Sequence, residues 1–351
     1  MTLVERLLEL CSIPSPTGQE AALSDAIAAQ IGRERPDLAI RRHGSSLVIP
    51  IRAGASTHHV VLAGHLDTVR SEQDGPVRLE GDQLFGCGAS DMKSGLAMML
   101  EIASRPGPGQ LGLTLVFYAG EEGPYAGNEL ERVLCDDELV RGASFAVCLE
   151  PSDNELQLGC AGTLHARLTF EGRSAHSARP WQGDNAIHKA SALLAEIAAI
   201  EPRWTEIDGL RFATVTSVTM ASGGMGRNVV PPRFEMNVNH RFAPGTTIAQ
   251  ATAAIESLVA GRAQVEIVDA APSALPHRDH PLVQSLCECG VKGVSAKQAW
   301  TDVARFSQHG VPAVNFGPGV QAQAHQRNEW ASVRQLEEGM GVLRKWLSCC
   351  P

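Results

Sequence analysis

No apolar run in the 351-residue chain approaches the roughly 20 residues that a bilayer-spanning helix needs, so no membrane span is expected. The opening residues, Met1-Thr2-Leu3-Val4-Glu5-Arg6, lack a basic stretch followed by an apolar one. A secretory signal is therefore not expected, and the cytoplasm is the expected address. Blocks of like charge are also missing. The formal net charge is −9 and the basic residues are scattered, whereas a nucleic-acid partner would favour a basic patch. A disulfide framework is not indicated, because the nine cysteines are odd in number and irregularly spaced. Cys287/Cys289 and the adjacent Cys349/Cys350 do not have the spacing of thiolate zinc sites, and the cysteines read as structural thiols. No internal repeat or low-complexity segment is found.

What is present suits a large globular protein. Hydrophobic residues make up 44% of the chain, and the length suggests two domains. Thr2 with Glu5 fits a capping box, and Leu3, Leu7 and Leu10 share the face of the helix it would start. Short apolar runs at 59–64, 111–119, 144–149 and 311–316 read as buried strands, and 93–104 reads as a helix. Interleaved in this way they predict an α/β sheet. The middle of the chain differs. Strands over 164–171, 212–219, 234–242 and 264–269 alternate with a helix capped by Asp184, anchored by Ile187, Leu193, Leu194 and Ile197, and a second over 246–260. This β-α-β-β-α-β order predicts a ferredoxin-like α+β module. The expected organisation is a discontinuous catalytic domain, 1–160 and 273–351, with an inserted domain over 161–272.

Metal-type side chains cluster where the first domain's strands end. The first strand runs into Gly64-His65-Leu66-Asp67, the second into Gly120-Glu121-Glu122-Gly123, and the third into Glu150-Pro151. Ligands of open α/β sheets sit beyond the carboxyl ends of the strands. Asp91 precedes a predicted helix, and Ala324-His325-Gln326-Arg327-Asn328-Glu329 follows the fourth strand. No run of Lys or Arg in these segments would neutralise the acids, and buried carboxylates are costly unless paired or metal-bound. Imidazole and carboxylate donors suit zinc, with cobalt or manganese as substitutes. Two metals bridged by one carboxylate need five ligands, matching His65, Asp91, Glu122, Glu150 and His325. Glu121 is then free to act as general base. Asp67 is expected to hydrogen-bond the other nitrogen of His65 and fix its tautomer.

The segments GHLDTV, GCGASDMKSG, AGEEG, LEPS and AHQRNE resemble, in order, those of the two-zinc aminoacylase/carboxypeptidase family. The resemblance implies a zinc-exopeptidase-like α/β catalytic domain with an inserted lid that forms the interface of a homodimer. It places His65 and Glu150 on one zinc, Glu122 and His325 on the other, Asp91 between them, and Glu121 as the base. It also implies a cis peptide after Asp91. A narrower resemblance, to the succinyl-diaminopimelate desuccinylase branch, rests on LFGCGASDMKSGLAMML, LEPSDNELQLGCAGTLHARLTFEGRSAHSARPWQGDNAIHKA and WTDVARFSQHGVPAVNFGPG. It implies hydrolysis of N-succinyl-LL-2,6-diaminopimelate to succinate and diaminopimelate.

That substrate carries three carboxylates, which Arg forks would recognise, with Arg179, Arg227 and Arg241 as candidates. By the resemblance, His176 of the lid reaches the partner subunit's site and stabilises the oxyanion. Asn228 and Arg241 bind substrate carboxylates, and Thr301 contacts substrate from the catalytic domain. The branch carries a hinge arginine where this chain has Gly159-Cys160-Ala161-Gly162-Thr163. An acetylornithine deacetylase-like deacylase or a metallo-dipeptidase or carboxypeptidase would share every metal residue. A silent binding protein on the same fold would have lost the base or a ligand, and all six positions hold competent residues. Trp181, Trp300, His58, His59, His277, His280 and His309 are read as structural.

Overall fold

A computed structural model describes residues 1–56 and 58–349, so Cys350 of the Cys349/Cys350 pair lies outside the described residues. The chain divides into two compact units. One gathers Met1–Gly159, Pro276–Lys297 and the segment from Thr301 onward; the other holds Cys160–Leu275 with Gln298–Trp300.

The first unit is α/β, built on a mixed eight-stranded sheet. At its centre the strands Gly112–Tyr118, His59–His65, Phe145–Cys148 and Ala313–Asn315 lie side by side and parallel. They are the four apolar runs of the sequence, three of them trimmed by a residue or two at their ends and the run 59–64 extended by one to His65. Ser46–Arg52 adds antiparallel to Gly112–Tyr118. This strand escapes the sequence pattern because Pro50 argues against a strand interior. The structure absorbs Pro50 at a register shift between Pro50 and Arg52. The first helix, Leu3–Ser12, starts at the expected capping box: Thr2 Oγ1 accepts from the Glu5 backbone N–H at 3.2 Å and Glu5 accepts from Thr2 N–H at 2.7 Å.

The helix Ser94–Ser104 is buried over almost its whole length. Gly95 allows this close approach: a Cβ there would lie 2.4 Å from the Leu149 carbonyl oxygen. A π-turn, Ala89–Lys93, leads into the helix and carries a cis peptide between Asp91 and Met92.

The second unit is an antiparallel five-stranded sheet in the order Arg203–Ile207, Leu210–Gly223, Arg233–Phe242, Gly162–Glu171, Gln264–Ala271. The strands and helices follow the expected β-α-β-β-α-β path with Arg203–Ile207 added at one edge. Helices Ala186–Ala198 and Ile248–Val259 close its core, where Leu164, Leu168, Phe170, Met236 and Val238 pack against Leu193, Ile197 and Ile255. The cap of the first of these helices is Asn185, not Asp184. Asn185 has extended backbone, and its side-chain oxygen accepts from Ile187 N–H and His188 N–H. Asp184 instead pairs with Lys189. Ile187, expected as an anchor, is 39% exposed, because this helix start turns that position to solvent.

Candidate active site

Five segments of the first unit deliver the predicted residues to the carboxyl ends of its parallel strands. His65 is the last residue of its strand, Glu121 and Glu122 follow Tyr118 after a short turn, and Glu150 lies two residues past Cys148. Gly120 makes the turn possible: its φ is +84°, and a Cβ would meet the Gly127 carbonyl oxygen at 2.8 Å. Asp91 comes from the π-turn. His325 arrives from a loop far along the chain, with a positive φ of 62°.

These groups converge. His65 Nε2 lies 3.1 Å from Asp91 Oδ1, and His325 Nε2 lies 2.9 Å from Glu122 Oε1 and 3.6 Å from Asp91 Oδ2. One donor atom each of His65, Asp91 and Glu122 falls within 4.8 Å of the others. Glu150 is buried, and its Oε1 has no hydrogen-bond partner among the described residues. An orphaned carboxylate oxygen beside imidazoles and other carboxylates is a fit for a hard or borderline divalent cation.

Two further carboxylates hold the ligand-bearing loops by their backbone. Asp67 accepts from the N–H groups of Gly120 and Glu121 at 3.0 Å and Glu122 at 2.9 Å, and from the Thr17 hydroxyl at 3.0 Å. The expected contact between Asp67 and the other nitrogen of His65 is made by the backbone, not the side chain. The His65 Nδ1 meets the backbone carbonyl of Asp67 at 2.9 Å, while the carboxylate stands 3.6 Å away, committed to the neighbouring loop. Either arrangement fixes the imidazole tautomer. Glu329 does for the π-turn what Asp67 does for the glutamate loop, accepting from Gly88, Ser90 and Asp91 N–H at 2.7, 2.8 and 2.9 Å.

The electrostatics record an excess of buried negative charge. Burial pushes Glu121 well above the usual carboxylate range, and the charges of Glu122 and Glu150 push it further. Glu150 rises to about 7 for the same reason, with Asp91 and Glu122 as the repelling neighbours. Burial alone would lower His65, but its hydrogen bond to Asp91 and the charges of Glu121 and Glu150 outweigh this and raise it. The Glu122 hydrogen bond lifts His325 to about 9. A bound dication would invert these shifts, favouring ionised acids and neutral imidazoles.

Sequence reasoning missed Lys297. It is buried and donates to the Pro151 carbonyl at 3.1 Å, next to Glu150, so a cation does reach this cluster from elsewhere in the chain. Asp302 was also missed. It is fully buried, accepts from Asn128 at 2.7 Å and from Arg305 at 3.0 Å, and its charge acts on Glu121. Nothing local in the sequence singles out Lys297, whereas Asp302 and Glu329 at least stand in the segments WTDVARFSQHGVPAVNFGPG and AHQRNE.

The second unit holds the remaining candidates. His176 and Asn228 are exposed on adjoining loops, joined by a bridge between His176 and Val229 and by the Ser177 N–H donating to the Asn228 carbonyl at 2.9 Å. Arg179 is exposed on the same loop. Arg241 stays on its strand, half-buried, and donates to Asn239 at 3.2 Å. Thr301 is buried in the first unit. Trp300 packs as expected, donating to the Pro272 carbonyl at 3.0 Å. Trp181 does not: it is 75% exposed on a one-turn helix that offers nothing to cover it.

Residues 61–348 match the model of peptidase family M20/M25/M40. The chain belongs to that family. A Mycobacterium tuberculosis relative, provisionally assigned as a succinyl-diaminopimelate desuccinylase, is 39% identical over 98% of this chain and 97% of its own. The succinyl-diaminopimelate desuccinylase of Corynebacterium glutamicum is 35% identical over 99% and 96%. Among solved structures of the fold, a tripeptidase from Staphylococcus aureus superposes with a TM-score of 0.79 at 20% identity, covering 99% of this chain and 97% of that one. An M20 family metallo-carboxypeptidase from Sulfolobus solfataricus gives a TM-score of 0.79 at 13% identity, with 99% of each chain covered. The M20 fold therefore accounts for both the mixed sheet and the strand-end rim. No helix is long and apolar enough to cross a membrane among the described residues.

Proposed function

We propose that this M20 chain is a metal-dependent amidohydrolase that cleaves N-succinyl-LL-2,6-diaminopimelate to succinate and LL-2,6-diaminopimelate. The observation that carries the reaction class is the convergence of His65, Asp91 and Glu122 at one rim with His325 on Glu122. Near-full-length identity to the two desuccinylase relatives narrows the substrate.

Two zinc ions fit the donors, cobalt or manganese being substitutes: His65 and Glu150 would hold one, Glu122 and His325 the other, with Asp91 shared between them. A Bacillus subtilis relative in fold is described as a dinuclear metal-binding peptidase of the M20 family. When bound, such a pair polarises a carbonyl and makes water more acidic. Glu121 takes a proton from the attacking water as the new C–O bond forms, then delivers it to the amide nitrogen as the C–N bond breaks. Glu121 suits this cycle because it is not called on as a metal ligand, so its carboxylate is free to hold the proton between the two transfers. Arg179, Asn228, Arg241 and Thr301 bind the substrate's carboxylates and backbone. His176, as the oxyanion donor, serves the partner subunit's site in a homodimer formed through the inserted unit, whose sheet exposes Met220 (72%) and Val268 (41%). The cytoplasm fits cysteines that form no disulfide among the described residues.

One feature favours a second reading, a deacylase of other N-acyl amino acids or a dipeptidase. Cys160 stands at the hinge where the desuccinylase branch has arginine, and it is fully buried. The test is turnover of succinyl-diaminopimelate against N-acetylornithine and a dipeptide, on zinc-loaded protein. Preference for the succinyl substrate is expected. Faster release of acetate, or of an amino acid from the dipeptide, would replace the first reading by the second.

A further inference from the structure

Away from the rim, three metal-type side chains that the proposed reaction does not use meet between two helices of the first unit. Glu131 and Cys135 sit four residues apart on the helix Leu130–Asp136 and so share a face. His309 caps the end of the helix Val303–Gln308. His309 Nε2 lies 3.0 Å from Glu131 Oε1, and Cys135 Sγ lies 3.7 Å from the same oxygen. All three donor atoms fall within 4.8 Å of one another. Tetrahedral zinc holds nitrogen, oxygen and sulfur at distances that put the donors about 3.4–3.6 Å apart, so small side-chain movements would close the set.

A second feature prepares the carboxylate. Arg305 donates to Glu131 Oε2 at 2.8 Å and holds it from behind, so that Oε1 faces the imidazole and the thiol. Arg305 is buried and anchored in turn by Asp302 at 3.0 Å and the Tyr125 carbonyl at 2.8 Å. Its charge is thus largely answered by Asp302, and a dication would be neutralised by the Glu131 carboxylate and the Cys135 thiolate. Cys135 is exposed, and His309 is 20% exposed on its side chain, so ion and water can enter.

We infer that Glu131, Cys135 and His309 form a second, separate metal site for a borderline or soft divalent cation such as zinc or cobalt, with water as the fourth ligand. Its mixed sulfur, nitrogen and oxygen donors differ from the all-imidazole and carboxylate rim. A metal there would tie the two helices together and stabilise the fold around Asp302 and Arg305. Binding converts the Cys135 thiol to a thiolate, releasing one proton to solvent.

The difference in donors makes the site separately visible. Metal-free full-length protein is titrated with cobalt, and the near-ultraviolet thiolate-to-cobalt charge-transfer band is recorded with the metal stoichiometry. The wild type should develop the band, and Cys135→Ser and His309→Ala should each bind one equivalent fewer. Cys135→Ser should abolish the band, with hydrolysis by the rim retained. Absence of the band from the wild type, a band that survives Cys135→Ser, or equal stoichiometry in wild type and variants would overturn the assignment. These readouts compare wild type with variant, so they hold whether or not the rim binds two ions or hydrolyses the proposed substrate.

Discussion

Glu121 and its neighbours divide the chemistry of the rim by what each carboxylate already touches. Glu122 is engaged by His325 and Asp91 by His65, whereas Glu121 is half-buried among like charges. Glu121→Gln keeps the shape and removes the proton carrier. Turnover should fall by about 10²–10⁴-fold with metal content unchanged, measured by steady-state kinetics beside elemental analysis. An unchanged rate would remove Glu121 from the base role. Asp67 acts at one remove, through three backbone N–H groups of the glutamate loop. Asp67→Ala leaves those donors unpaired and the loop free to drift. Metal affinity should weaken by about 10–100-fold in a chelator competition. Wild-type affinity in that variant would show that the loop holds its shape unaided. Asp67 was legible as a site residue because it sits two positions from His65. The partners of its carboxylate lie fifty or more residues away, and sequence proximity named the right imidazole nitrogen but the wrong oxygen of Asp67.

At the scale of elements, local chemistry places the four expected helices to within two residues, while helices such as Ala21–Glu34 and Val333–Cys349 escape it. Asp184 and Asn185 are both good caps by composition, and only backbone geometry distinguishes them. Asn185→Ala should destabilise the protein by about 1 kcal/mol through loss of the cap, while Asp184→Ala loses only an exposed ion pair. Thermal denaturation of the two variants decides the matter; a larger loss from Asp184→Ala would restore the first expectation. Arg6 of the first helix is almost fully buried and ties it to the helix Ala21–Glu34 through Glu34 at 2.8 Å and to the helix Ser94–Ser104 through Glu101 at 3.1 Å. The Arg6 hydrogen bond lowers Glu34 to about 2. A depressed folded-state pKa contributes stability that is present above the ordinary carboxylate value of 4.5 and is lost as pH falls through about 2. The Tm difference between wild type and Glu34→Gln, both metal-free, should therefore be largest near neutrality and shrink across that acidic window. A difference independent of pH would mean the pair acts by packing alone.

At the scale of the whole molecule, the rim needs a cation. Four acids, Asp91, Glu121, Glu122 and Glu150, share it with His65, His325 and the buried Lys297, and burial with mutual repulsion raises Glu121 and Glu150. Exhaustive chelation should abolish hydrolysis and lower Tm, and zinc, cobalt or manganese should restore both. Activity that persists in chelated protein with no detectable metal would end the metal reading. Family membership and the mixed-sheet fold explain why so much of the rim could be read in advance: strand ends are marked by apolar runs, and ligands follow them directly.

The sequence by itself determined where the parallel strands end, which side chains follow them, and which donor types they carry, because apolar periodicity and residue chemistry are local. Tertiary structure alone decided that Asp67 and Glu329 clamp loops through backbone N–H groups, that Lys297 and Asp302 lie beside the acids, and that Glu131, Cys135 and His309 meet. Each of these depends on segments far apart in the chain being brought within hydrogen-bond reach, and no local pattern records that distance.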